Sequence, residues 1–279
     1  MNLMFDKSRA RYPELWEGCM RAYNHAYVHS YTAKTAGQSG TYGTLQDFSD
    51  YRINASIQRL NTSNTGYDTV PSIWLGVRST NHNGYGAANN TINFSDAGLP
   101  TGGGPISVSW RMFCNTYEEN EGASVIFALG DSRTGASSST FQVYADGTGL
   151  RFGTYAFAGA TIPWVQFENK WHYFTYTSSG STINAYLDGK LYATSSLTPN
   201  VSLWGTAYIG GLNLLGGVYY PLIAFMSEFA IHKRVLSDQE IQLLASEPQI
   251  MYQQRSRRRT ASAPTGNRRR RIILPQWYI

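Results

Sequence analysis

Residues Trp171-His-Tyr-Phe-Thr-Tyr-Thr177, Ser178-Ser-Gly-Ser181, Thr182-Ile-Asn-Ala-Tyr-Leu187, Asp188-Gly189 and Lys190-Leu-Tyr-Ala-Thr194 follow one another without interruption. Three short runs rich in aromatic and β-branched residues are separated by two turn signals, the pattern of strands on a pleated, half-buried surface. Asp188-Gly189 suits a two-residue hairpin, whose central positions both take positive φ. The stretch therefore predicts an antiparallel meander.

Working outward, similar runs occur at Ile106–Cys114, Ala123–Leu129, Ser139–Ala145, Leu150–Thr154, Ala207–Ile209 and Ile223–Ile231. Gly130-Asp131, Asp146-Gly147 and Pro199-Asn200 punctuate them, as expected of an antiparallel sandwich and not of a parallel sheet with crossover helices. On the N-terminal side, Leu15–Tyr23 is the first strand candidate and Thr44–Asp50 a strand running into a polar turn. Residues 61–104 are dense in Asn, Thr, Ser and Gly, with short candidate strands at Ser72–Gly76 and Thr91–Phe94. Long polar connections of this kind are where sandwiches place variable surface.

One helix is expected. Ser237-Asp-Gln-Glu240 is a capping box, with the Ser hydroxyl accepting from the third helical N–H and the Glu carboxylate accepting from the cap N–H. Leu236 and Ile241 supply the hydrophobic staple, Leu244 extends the apolar face and Pro248 ends the helix.

Four landmarks thus occur in order: the Trp171 strand, Asp188-Gly189, Ile209-Gly210 and the capped Leu-Ser-x-x-Glu-Ile helix. Over residues 105–247 they resemble the laminin G-like, or concanavalin A-like, domain. The resemblance implies an all-β, two-sheet antiparallel jelly-roll sandwich with one short C-terminal helix and extended terminal arms. Toward the N-terminus the family's Gly-Asn-His sequence is replaced by Tyr51-Arg52-Ile53-Asn54-Ala55. The organisation expected is an N-terminal arm over 1–14, the domain over 15–250 and a C-terminal arm over 251–279.

At 279 residues, with Gly 27, Tyr 20, Trp 7 and only 15% charged residues, one β-rich domain with a substantial core is expected. No apolar run is long enough to span a membrane as a helix. Residues 1–9 lack the order of a secretory signal, so a protein made and kept in the cytoplasm until assembly is expected. Cys19 and Cys114 are too few for a disulfide framework or a four-ligand zinc site, and both are expected as buried thiols.

The net charge of +5 divides unevenly. Residues 254–279 hold eight arginines and no acid, which leaves 15 basic against 18 acidic residues, a net of −3, for the remainder. The arm reads Arg257-Arg258-Arg259, a small-residue and Pro spacer, Arg268-Arg269-Arg270-Arg271, then Ile-Ile273-Leu-Pro-Gln-Trp277-Tyr278-Ile. Such a tip exposes a large apolar area if left in water, which argues for a protein anchor over a nucleic-acid or solubilising tail. Bidentate Arg–carboxylate bonds would set its position and Ile273, Trp277 and Tyr278 would fill pockets.

No catalytic residues are assigned. Relatives that hydrolyse glycans use paired carboxylates on one strand, and no Glu-x-Asp-x-x-Glu or Glu-x-Asp-x-Glu strand occurs here. Glu118, Glu119 and Glu121 read as a solvated turn, and there is no Gly-x-Ser-x-Gly elbow. His25 and His29 are spaced for a helical metal pair but lie in an extended run, and His172 is expected at solvent or a sheet edge. The resemblance implies calcium at a loop rim in many members. Asp131, Asp146 and Asp188 are explained by turn chemistry, so no cofactor and no metal ligand are assigned.

Aromatic rings on loops can stack on sugar faces, and Trp74, Tyr85, Trp164 and Trp204 are the candidates for glycan contact. The arginine-rich, aromatic-tipped tail after a helix resembles laminin G-like proteins of tailed-phage structural gene clusters. That resemblance implies a non-enzymatic virion protein. It would decorate or cement a capsid through its arms, with the major capsid protein or sister subunits in a homo-oligomer as partners. The alternative is a glycan-binding adhesin of a tail fibre or capsid surface, and a polysaccharide hydrolase ranks behind both.

Overall fold

A computed structural model describes residues 7, 10–31, 40–59, 73–75, 90–114, 124–130, 140–154, 158–203, 205–210, 212–214, 217–219 and 224–253. Its strands are β1 Cys19–Tyr31, β2 Gly40–Asp47, β3 Ala55–Arg59, β4 Ile73–Leu75, β5 Asn90–Phe94, β6 Ile106–Cys114, β7 Ser124–Gly130, β8 Thr140–Asp146 and β9 Gly149–Gly153. They continue with β10 Ala158–Pro163, β11 Trp171–Ser178, β12 Ile183–Leu187, β13 Lys190–Ser195, β14 Ala207–Ile209, β15 Leu212–Leu214, β16 Gly217–Tyr219 and β17 Ala224–His232. The helix α1 spans Asp238–Ser246.

Hydrogen bonding runs along one antiparallel path, β10-β9-β8-β7-β14-β5-β3-β2-β1-β17-β6-β11-β12-β13, with β4 added to β17. The path folds back on itself so that β10 lies against β12 and β13, giving two facing walls and a nearly closed barrel. The all-β sandwich expected from the turn spacing is the fold observed.

Alternation dictates the core. From β6, Val108, Trp110 and Met112 point inward, and from β11 so do Phe174 and Tyr176, all buried. Trp110 stacks on its cross-strand partner Phe174 at 5.5 Å, and Tyr176 stacks across the sandwich on Phe141 at 4.1 Å. Aromatic contacts of this kind contribute beyond their buried area.

The Asp188-Gly189 turn joins β12 to β13 with φ of 49° and 80°, as the hairpin chemistry requires. A Cβ on Gly189 would lie 2.9 Å from Cα of Gln242, so this turn also seats α1. The capping box forms as read: the Ser237 hydroxyl accepts from the Glu240 N–H, and the Glu240 carboxylate accepts from the Ser237 N–H at 2.8 Å. Leu236, Ile241 and Leu244 are buried.

The N-terminal portion departs from the sequence reading. Pro13–Trp16 forms a 3-10 turn, and the first strand starts only at Cys19. Pro13 fixes φ for the opening of that turn. Gly18 then takes φ 68°, which sets the start of the strand. His25 and His29 lie in β1, the extended setting expected for them. Cys19 and Cys114 are both buried thiols, and burial pushes Cys114 up to about 12, so neither is a ready nucleophile.

A second core covers part of the outer face of β1, β17, β6, β11 and β12. Leu15, Trp16, Phe48, Leu244, Ile250 and Met251 pack there against Ala22, Ala230, Tyr173 and Tyr186. The Trp16 Nε1–H donates to the Met251 carbonyl at 2.9 Å, and Tyr252 makes edge contacts with Trp16 and Phe48. The Arg11 N–H donates to the Gln253 carbonyl at 2.8 Å, which joins the two ends of the domain side by side. The arm residues Arg257, Arg258, Arg259, Arg268, Arg269, Arg270, Arg271, Ile273, Trp277 and Tyr278 lie outside the described residues.

Candidate functional site

The outer face of β11, β6 and β17 is organised in rows across the strands, because directly opposed residues in an antiparallel pair share a face. Trp171 opposes Phe113, and Phe113 opposes Phe225. Ring centroids are 5.8 Å apart for Trp171–Phe113 and 6.2 Å for Phe113–Phe225. All three side chains are only partly buried. On its other edge, β17 pairs with β4, and Trp74 occupies the register position opposite Phe225. Four aromatic residues therefore hold consecutive register positions across four strands.

The neighbouring row is polar. Arg111 opposes Tyr173, and Asn24 opposes Glu228. The Arg111 guanidinium lies 5.0 Å from the Trp171 ring centroid, a cation held against an aromatic face. Glu228 is buried and accepts hydrogen bonds from the Ser227 hydroxyl and the Gln249 amide. The Asn24 amide donates to Gln249 Oε1 at 2.6 Å. Burial raises the Glu228 carboxyl above its ordinary range, partly opposed by Ser227, Arg111 and Gln249. The next row, Thr175, Ser109, Ala230 and Ala22, is made of small residues, and it underlies the second core. The face thus grades from a partly open aromatic row to a largely buried polar row and the covered second core.

Of the residues expected to touch glycans, Trp164 sits in a 3-10 turn after β10, partly buried, with its Nε1–H donating to the Asp146 carbonyl at 2.6 Å. Its ring packs on Phe167 at 4.8 Å. That indole is engaged in holding the corner between β10 and β11. Tyr85 and Trp204 lie outside the described residues, and of Trp74 only the strand position is described. Trp171, Phe113 and Phe225 were read from sequence as strand residues without a face. The alternation that buries Trp110 and Phe174 also sends their neighbours outward, and that signal sufficed to find them.

His172 is not at a sheet edge. β11 lies between β6 and β12, and the His172 Nδ1 is 2.7 Å from the Asp188 carboxylate. The other oxygen of Asp188 accepts from the Tyr173 N–H at 2.9 Å. Asp146 accepts from the Thr148 N–H at 2.8 Å within its turn. Asp131 and the cluster Glu118, Glu119 and Glu121 lie outside the described residues.

Two buried charged groups brace the loops at the start of the domain. Asp47 accepts from the N–H groups of Ala22, Ser49 and Ile53 and from the Ser49 hydroxyl, at 2.7 to 2.9 Å. Arg21, fully buried, donates to the carbonyls of Met20, Ser95 and Ala97. Both are spent on backbone. Among the described residues no group of three His, Cys, Asp or Glu side chains could hold a metal ion.

A family model described as the concanavalin A-like lectin/glucanases superfamily, Laminin_G_3, matches residues 85–242. The chain belongs to this family. No curated protein matches the laminin G-like chain in sequence. Among solved structures it is similar to the binding domain of botulinum neurotoxin DC in complex with SialylT, at 14% identity and TM-score 0.55, over 82% of this chain and 51% of that one. It is also similar to a botulinum neurotoxin type C structure, at 13% identity and TM-score 0.57, over 84% and 52%; that toxin is described as entering cells through interaction with two ganglioside molecules. A third is the neurotoxin DC binding domain with rat synaptotagmin II, at 13% identity and TM-score 0.53, over 83% and 52%. The laminin G-like chain spans about half the length of these structures, and at such identities the likeness is one of fold.

Proposed function

We propose that this laminin G-like domain is a non-enzymatic carbohydrate-binding module whose contact surface is the outer-face row of Trp171, Phe113 and Phe225. The observation that carries the reading is the placement of this row beside Arg111, whose partly exposed guanidinium stands against the Trp171 ring. Aromatic rings supply apolar contact for the C–H faces of a sugar, and the Arg111 guanidinium beside them donates to its hydroxyls. The lectin-like family and the glycan-bound neurotoxin binding domains support the class of ligand, and they do not specify which sugar. A glycan array probed with the whole chain tests it: binding to a defined set of glycans, lost in Trp171→Ala with the fold retained, is the expected result. A blank array, or binding untouched by that substitution, removes the proposal.

A second element concerns attachment. Residues 250–253 are clamped by Trp16, Phe48 and Arg11, so the arginine-rich arm has a firm root on the domain. This supports the reading of the arm as an anchor that fixes the module to a larger assembly, with a virion shell as the proposed setting. Deleting residues 255–279 should leave a folded, glycan-binding domain that no longer joins particles. Unchanged incorporation into particles would defeat the anchor.

A further inference from the structure

We infer that the aromatic row takes the interior of an extended, linear oligosaccharide lying across the strands, and not a single terminal sugar. This rests on the glycan-binding reading above and adds the shape of the ligand to it.

The argument is geometric. A terminal-sugar site needs one ring and polar groups converging on it from several sides. Here the rings are strung out in line, at 5.8 and 6.2 Å between centroids, each on a different strand. The line continues in register to Trp74. Neighbouring strands are about 4.8 Å apart, a step comparable to the advance of one pyranose unit in an extended chain, so each strand presents one ring per sugar. The interplanar angles of 52° and 64° turn successive rings against one another. They suit a chain whose successive units are rotated about its axis. A flat two-fold ribbon would meet them poorly.

Of the neighbouring row only Arg111 is partly exposed; Asn24 and Glu228 are buried against Gln249 and Tyr173 in the second core, so that side of the aromatic row is walled. Arg111 stands over Trp171 at one end of the row and is the polar group open to the ligand there. The buried polar row and the packed second core close one side of the aromatic row, which favours a ligand that runs across the strands. Each added sugar then meets a further ring until the row is exhausted, and affinity rises stepwise with chain length before it levels off.

The test uses the whole chain and size ladders of β-1,3-linked glucose and α-1,4-linked glucose, whose chains wind about their axis, with β-1,4-linked glucose as the flat two-fold comparison, each from two to six units, and single-sugar albumin conjugates alongside. Isothermal titration should show at least tenfold tighter binding for the four-unit than for the two-unit member of one ladder, and little gain beyond five. Phe113→Ala, which interrupts the row at its centre, should reduce the gain from length more than the binding of the two-unit member. Phe225→Leu keeps apolar bulk, so folding is preserved, and it should shorten the length at which affinity levels off. Equal affinity for single-sugar conjugates and for six-unit chains overturns the extended-chain inference while leaving glycan binding intact. A response to single-sugar conjugates alone has the same meaning. No binding to any ladder or conjugate, together with a blank array, removes both.

Discussion

The guanidinium of Arg111 lies 5.0 Å from the centre of the Trp171 ring, reached diagonally across the β6–β11 pair. This places a permanent cation at one end of the aromatic row and fixes the orientation of the indole. Arg presents a planar fork that stacks and donates at the same time, which Lys cannot reproduce. Arg111→Lys should therefore keep the charge beside Glu228 and yet weaken glycan binding by several-fold, whereas Arg111→Ala should weaken it by tenfold or more. A cation–π contact at a partly exposed site contributes about 0.5–1 kcal/mol, so the thermal midpoint should move little in either variant. Titration calorimetry and a thermal melt on the same samples check both halves; equal affinity in all three proteins would contradict the role.

Acid should loosen the second core before it reaches the main one. His232 is fully buried, donates from Nε2 to the Leu15 carbonyl at 2.9 Å and is pushed by burial from its ordinary 6.5 to about 4. Between those values the unfolded chain binds the proton and the folded one does not. Stability is therefore lost as pH falls from 6.5 to 4, by about 3 kcal/mol in full. Burial alone would raise Glu240, but the hydrogen bonds from Arg234 and Ser237 outweigh it and hold the carboxyl at about 2. Its contribution is present above 4.5 and disappears from there down to 2. His232→Gln, which retains a donor for Leu15, should flatten the stability profile between pH 6.5 and 4. Urea unfolding at half-unit pH intervals reads this directly, and an unchanged slope in the variant would refute the assignment.

Gly189 should tolerate no side chain. Its φ of 80° disfavours any Cβ, and one placed there meets the backbone of Gln242 at 2.9 Å and Ala245 at 3.2 Å. The left-handed backbone alone costs about 1–2 kcal/mol, and α1 must shift in addition. Gly189→Ala is expected to lose about 2–3 kcal/mol. Gly205 provides the comparison, because it has φ 101° and nothing within 4 Å of the added carbon. Gly205→Ala should show the backbone cost without the displacement. Equal losses in the two melts would mean that the contact with α1 adds nothing.

Much of the fold was legible because its signals are local. Asp188-Gly189, the Ser237 capping box and the alternation of Ile106 through Cys114 each specify backbone geometry from a few adjacent residues. The long β1 and the strand Ala55–Arg59 were not read as such, since their pairing depends on β2 and β5, distant partners without turn signals to mark them. The candidate site was half visible. Trp74 was singled out as a candidate for glycan contact, but Phe113, Trp171 and Phe225 become a row only when the register aligns β11, β6 and β17. Trp164 illustrates the opposite case: its setting in a loop suggested exposure, and a hydrogen bond to Asp146 with packing on Phe167 assigns the ring to the scaffold.

The bond between Arg11 and Gln253 brings the two ends of the domain to one place, under Trp16, Tyr252 and Phe48. Tension applied along the arm arrives first at Tyr252 and is taken up by that aromatic clamp. Between that clamp and the row at Trp171 and Phe113 stands the buried row of Tyr173, Glu228 and Asn24, with Tyr173 two residues along β11 from Trp171, about 7 Å at the rise of a strand. A module tethered in this way can be tugged by its support while the surface that meets its ligand keeps its shape.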